Sequence, residues 1–596
     1  MCSPNISSQS PRKSLKPCAT LKCAKKRLRF RPLAPMRVPL ALLLPLGLML
    51  APLALSAAPA QAQVERRELA PLSGAGATEQ RVPGAQQIAP ASHGEMPPAS
   101  SPGFEQPSSP LPGDLWRELQ PQVLQQLLAA APLPSPSPTL ATLIGSALAA
   151  GAESGGAEIA IRVGALERAG RVEEVVRLLS GAAQAKEPGA AARYAVALLA
   201  AGRDDEACAL KLGPAPETAR ADAEAKRATF LVPAYCDAVK GDARGAALAL
   251  QLARDSGVEA PLALAVIDRL TNTATRTPPP PKTVDVLDYV FLALDEKGLG
   301  PDLAAKASPE LLFRLAHDPQ APAELKLAAA ERAAALNIID GAALADVYRD
   351  AAAKLGKQVQ SAPALRARLF AALEAAPSAK IRGQSINALL ASGRDAGIEI
   401  PLGQALAQAG AELVQDPQAA GFAETGVRVA ALAGDDQTAW AWVDAGGAPL
   451  RGWQLLLAAS NPFGARAEEA LDGVDNALEG GLPPALLHRL VTVLDALDYD
   501  VPIPLWDATS KIPQPSDGYL PATGELSALK EAADAGDVGR TVLLVASALG
   551  STGPAGANLI ALGDAVRALK RVGLDQEARR LGFEALYAHW PTHGKA

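Results

Sequence analysis

A six-residue turn recurs along this chain and constrains its fold more than any other feature. It reads Gly170-Arg-Val-Glu-Glu-Val175, Gly202-Arg-Asp-Asp-Glu-Ala207, Gly241-Asp-Ala-Arg-Gly-Ala246, Gly434-Asp-Asp-Gln-Thr-Ala439, Gly536-Asp-Val-Gly-Arg-Thr541 and Gly573-Leu-Asp-Gln-Glu-Ala578. Stretches such as AEIAIRVGALERAG and VEEVVRLLSGAA flank the first copy. They place apolar residues at i, i+3, i+4 and i+7, the period of an amphipathic helix. Glycine ends a helix in the left-handed conformation that a Cβ penalises. A polar residue after it suits the free N–H groups and dipole at the next helix start. Five positions after each Gly stands a small or short-branched residue; twelve after it stand Ala182, Ala253, Gly446, Ala548 and Ala585, with Pro214 the exception. Small residues in register let paired helices cross closely. Only 4% of the chain is aromatic, and strand-length alternation is almost absent. Many shallow helix contacts are therefore expected, because Ala and Leu favour helix and offer few bulky anchors.

The turn resembles the helix A–turn–helix B portion of the tetratricopeptide and Sel1-like repeats, whose turn has the form G-[DN]-x-x-[EK]-A. The copies at Gly202 and Gly573 match best. The resemblance covers six stretches of about 25 residues each. It departs from the family in having aliphatic residues at the aromatic positions, no regular closing proline, and spacings of 32, 39, 193, 102 and 37 residues. It implies an all-α fold, a right-handed superhelix (α-solenoid) of antiparallel helix pairs, with a concave groove suited to a protein or peptide. The alternative is a set of unrelated helical hairpins sharing ordinary turn chemistry.

The N-terminal region reads differently. From Met36 the chain has a basic residue (Arg37), an apolar run over Val38–Leu55 and the small-x-small triplet Ala60-Gln61-Ala62. That is the layout of a secretory signal peptide, with cleavage expected after Ala62; an uncleaved membrane anchor is the alternative. Residues 1–35 form a basic extension, and Met36 is a candidate start. Residues 63–112 are rich in Pro, Ala, Ser, Gly and Gln and are expected to be a disordered linker, with order beginning near Asp114-Leu115-Trp116. Proline clusters then divide the helical region into repeats over 113–276, 283–480 and 481–596, the last with a proline-rich loop at 501–521.

Residues 1–62 contain ten basic and no acidic residues; without them 47 basic face 63 acidic residues, a net charge of −16. Such a chain is repelled by nucleic acid phosphates and by anionic membranes, so membrane association is expected only through an uncleaved anchor. Cys2, Cys18 and Cys23 precede the apolar run, which leaves Cys208 and Cys236. In an oxidising compartment this pair reads as a disulfide; two buried free thiols are the alternative. Cys208 lies six residues after Gly202 and Cys236 five before Gly241. Stacked helix pairs would bring the start of one helix B level with the end of the next helix A, so the two would meet.

Catalytic and metal signatures are missing. There is no G-x-S-x-G, H-E-x-x-H or Walker A segment, and no dinucleotide fingerprint after a strand. His317 and His488 stand alone, His93 lies in the linker, and Pro591 breaks the helix that His589 and His593 would need to share a metal. No cofactor, metal or enzymatic activity is expected. Trp440, Trp442, Trp506 and Tyr519 are the candidate partner-binding aromatics. The expected function is an exported, periplasmic or secreted scaffold for a protein or peptide partner in the cell envelope. An accessory factor or activator of a cell-wall enzyme, and a structural envelope protein without a specific ligand, are the alternatives.

Overall fold

A computed structural model describes residues 111–591 except 118, 152–155, 185–188, 214–222, 272–281, 296–298, 357, 359, 360, 473 and 475–481. The described residues belong to one compact unit, Met96–Ala596. The start-site, signal-peptide and most of the linker readings, with Cys2, Cys18, Cys23, His93 and His593, lie outside them. Among the described residues the fold is all-α, with two isolated single-residue bridges. No helix there is long and apolar enough to cross a membrane.

Each of the six glycines joins two antiparallel neighbours. Gly170 links Gly156–Ala169 to Val172–Gln184, and Gly434 links Ala423–Ala433 to Asp436–Gly446. All six have φ between 70° and 83°. Their hydrogen bonding is the same: the Gly N–H reaches the carbonyl three residues back, and the next N–H the carbonyl five back, as in Gly434 to Ala431 and Asp435 to Ala430. This is the Schellman closure, which satisfies the last carbonyls of a helix. Asp242, Asp435 and Asp537 then cap the next helix by accepting from Gly245, Thr438 and Arg540 N–H at 2.8, 2.9 and 3.0 Å. The residues five after Gly (Val175, Ala207, Ala246, Ala439, Thr541, Ala578) are all fully buried.

Four further turns close in the same way at Gly257, Asn337, Gly397 and Asp498, all with positive φ. Three of them fill the long interval between Gly241 and Gly434. They lack the Gly-Asp signature, and two use Asn or Asp in the left-handed region, which these side chains tolerate. Their common mark is an apolar residue directly after the turn: Val258, Ile338 and Ile398 are buried, and Tyr499 is partly so.

Neighbouring helices pack in chain order, and the order of neighbours returns to its start. The early helix Pro138–Ala149 packs on the late helices Val538–Leu549 and Asp575–Tyr587. Trp116, 1% exposed, donates its indole N–H to Ala147 O at 2.9 Å, and Gly539 admits its ring edge. Distant residues also cover several of the turns. Ile338 packs on Gly170. Arg314 lies against Gly202, donates to Leu199 O at 2.9 Å and pairs with Asp204. Arg580 donates to Ala431 O at 2.7 Å and to Leu432 O beside Gly434. Each guanidinium thus takes up carbonyls at a helix C-terminus, where the dipole favours a cation. A fully open concave groove is therefore not present at these three turns.

The segment 501–521 is a correction: it is not one loop, because Ile503–Ser510 is a helix. Pro504 sits in the first turn, where its missing N–H costs nothing, so these prolines start a helix as well as interrupting one. Cys208, on Asp204–Ala209, and Cys236, near the end of Ala223–Val239, form a disulfide with Cα atoms 5.6 Å apart.

Candidate functional site

Among the described residues, an open surface cleft of about 460 Å³ lies between Pro484–Ala496, Ile503–Ser510 and Leu559–Arg571. Helical spacing builds it. His488, Thr492 and Asp495 share one face of the first helix, and Ile560, Asp564 and Arg567 share one face of the third. Trp506 closes the apolar side, with 48% of its surface exposed, facing a cleft that also holds the half-exposed Ile560. At the polar end Arg567 bridges two carboxylates, at 2.6 Å to Asp495 and 3.1 Å to Asp564. His488 has Nε2 3.3 Å from Ile512 O, and its own carbonyl accepts from Thr492 Oγ1 at 2.8 Å.

A smaller hollow of about 280 Å³ shares Arg567 and is lined by Asp498, Lys570, Arg571 and Asp575. Lys570 pairs with Asp498 at 2.9 Å and lies 5.3 Å from the ring centre of the exposed Phe463. Arg567, Lys570 and Arg571 are each tied to a carboxylate, and Trp506, Ile560 and Phe463 are left partly to solvent. Such a surface suits binding through an apolar anchor with a polar rim. Nothing in the cleft joins a nucleophile to a base and an orienting group.

The four aromatics singled out in the sequence do not form one site. Trp506 lines the cleft. Tyr519 is 44% exposed but stands apart from it, its backbone bonded to Gly556 O and Asn558 N–H at 2.9 Å. Trp440 is half-buried under Arg466, 4.5 Å from its ring centre. Trp442 is a correction: it is fully buried, seated on Gly426, and offers nothing to a partner. Helical spacing puts 440 and 442 on different faces, so only one of them could reach solvent. Ile560 and Arg567 escaped notice in the sequence. A readable signal was there, since Ile560 shares a helix face with Asp564, Arg567 and Arg571.

A second polar cluster lies apart from the cleft. Arg227 holds Asp285 and Asp288, the latter at 2.8 Å. Arg193 holds Glu167 at 2.7 Å and Glu224 at 3.5 Å. Burial, with the neighbouring charges of Glu167, Glu224 and Asp285, raises the Glu310 carboxyl well above the usual range. Burial and Asp285 push Asp288 up to about 6 against the pull of Arg227. Among the described residues no group of three or more His, Cys, Asp or Glu is placed to hold a metal ion. His589 faces Ala555 O at 2.8 Å, and His317 stacks on Phe313.

No protein-family model, curated protein or solved structure matches the chain.

Proposed function

We propose that this protein is an exported helical-repeat scaffold that binds a protein or peptide partner in the cell envelope. The partner sits on the cleft between Pro484–Ala496, Ile503–Ser510 and Leu559–Arg571. The observation that carries this reading is the exposed Trp506–Ile560 pair beside a tied Asp495–Arg567–Asp564 rim. Large apolar side chains left in water at a cleft are the usual anchors of an interface. The signal-peptide layout over Met36–Ala62 and the Cys208–Cys236 disulfide support an oxidising destination outside the cytoplasm. In this reading the protein is not an enzyme, and the tetratricopeptide-like turns serve to hold the cleft helices in place.

The test is site-specific photocrosslinking in cells. A photoreactive residue at position 506 is expected to give a discrete adduct in the envelope fraction, and one at position 248 on a remote helix is not. Identical adducts at both positions, or none at 506, would overturn the reading. Recovery of the chain from the cytosol with Met36–Ala62 still attached would overturn the export part.

A further inference from the structure

We infer that the occupant of this cleft is a basic amphipathic segment, with an apolar residue seated between Trp506 and Ile560 and cationic side chains on the acidic rim. The inference rests on the scaffold reading above and adds the chemistry of the partner. The apolar requirement comes from side chains the fold leaves uncovered: Ile503 is 82% exposed, one helical turn from Trp506 on the same face, and Ile560 is 52% exposed. A helix face with such residues at i and i+3 meets a complementary apolar stripe, not a small polar ligand.

The charge requirement comes from the rim. Within the cleft two carboxylates, Asp495 and Asp564, share one guanidinium, Arg567. The Asp495 carboxylate is 50% exposed and that of Asp564 38%, so each keeps acceptor positions for a further donor. On the short helix the one lysine–aspartate pair, Lys511 with Asp507, cancels. The exposed Asp500 and Asp517 flank that helix in the chain, and Arg489 feels the charge of Asp517. The chain beyond Ala62 is itself acidic by 16 charges. A basic segment is therefore steered toward the protein and matched at the rim, and an acidic one is opposed on both counts.

The experiment uses the mature full-length protein and labelled amphipathic peptides, one of Leu and Lys, one with Glu replacing every Lys, and one with Gln. Fluorescence anisotropy of the label gives the affinity, and its change on substitution within the cleft against substitution at a remote surface reports where binding occurs. The Leu/Lys peptide is expected to bind about tenfold tighter than the Leu/Gln peptide at low salt, with the preference shrinking as salt rises. Trp506→Ser and Ile560→Ser should each weaken it about tenfold. Replacing the remote exposed pair Leu248 and Leu252 by Ser should leave it unchanged. Asp564→Asn should narrow the Lys-over-Gln preference, with an unaltered circular dichroism spectrum showing that the fold holds. Tighter binding of the Gln or Glu peptide, still lost in Trp506→Ser, would overturn the charge assignment and leave the scaffold reading standing. Binding of the Leu/Lys peptide that ignores Trp506 and Ile560 would overturn the site. Failure of all three peptides to bind would overturn the inference and count against the scaffold reading as well.

Discussion

The carboxylate of Glu584 accepts hydrogen bonds from the Ser137 hydroxyl at 2.5 Å and from the Thr139 N–H at 3.0 Å, joining positions about 447 residues apart. Ser137 also caps Pro138–Ala149 by accepting from Leu140 N–H. One buried side chain thus fastens the last described helix to an early one, where the order of packing returns to its start. Burial raises the Glu584 carboxyl above its ordinary value, although the Ser137 and Thr139 donors favour its charge.

Glu584→Ala should loosen this junction. It leaves the Thr139 N–H, the Thr139 hydroxyl and the Ser137 hydroxyl without their acceptor, which costs about 1–3 kcal/mol. Thermal unfolding should start earlier, and hydrogen exchange should accelerate in Pro138–Ala149 and Asp575–Tyr587 before the rest. Glu584→Gln keeps an acceptor and should lose less. Uniform exchange rates across the Ala variant would refute the junction's role.

Gly426 tests the packing of Trp442. A Cβ at position 426 would lie 2.1 Å from the indole ring. Gly426→Ala should therefore destabilise by about 1–3 kcal/mol, despite the higher helix propensity of Ala. Trp442→Leu in the same chain should recover part of that loss, a non-additivity that urea unfolding of the single and double variants measures.

The Cys208–Cys236 bridge closes a 28-residue segment. Replacing both cysteines by Ala should cost about 3–4 kcal/mol on the chain-entropy argument. The helix Asp204–Ala209 has only six residues and has little stability of its own. Protein cleaved after Ala62 should show no free thiol when denatured without reductant. Two reactive thiols per chain would contradict the bridge.

The pH dependence near Asp288 follows from the sign of its shift. Its carboxyl is pushed up to about 6, mainly by burial and secondly by Asp285. The folded state then holds a proton that the unfolded state releases near pH 4. The resulting stability is complete below about pH 4 and is lost as pH rises through about 6. The melting temperature of the parent should fall relative to Asp288→Asn across that window, and the two curves should run parallel below it. Parallel curves throughout would mean that Asp288 titrates normally.

The turns were legible because their chemistry is local. A Gly in the left-handed region, a capping Asp and small residues at fixed offsets describe one hairpin without reference to any other, and every described residue five after those glycines is buried. The turns at Asn337 and Asp498 escaped because there the left-handed residue is not glycine, and only the apolar residue behind each marks it. The cysteine pair was legible for a similar reason, since both halves sit at fixed distances from successive turns.

The sequence by itself determined the all-helical character and the antiparallel pairing at six turns, and it placed Cys208 and Cys236 where they could meet. The tertiary structure decided that Trp442 is core and Trp506 is surface, that Arg314 and Arg580 cover distant helix ends, and that Glu584 meets Ser137. It also brought three helices, from positions 484 to 571, to one cleft. The physical reason is reach. Helix period and turn chemistry act over a few residues, whereas these contacts depend on small rotations between successive pairs, summed over the whole array.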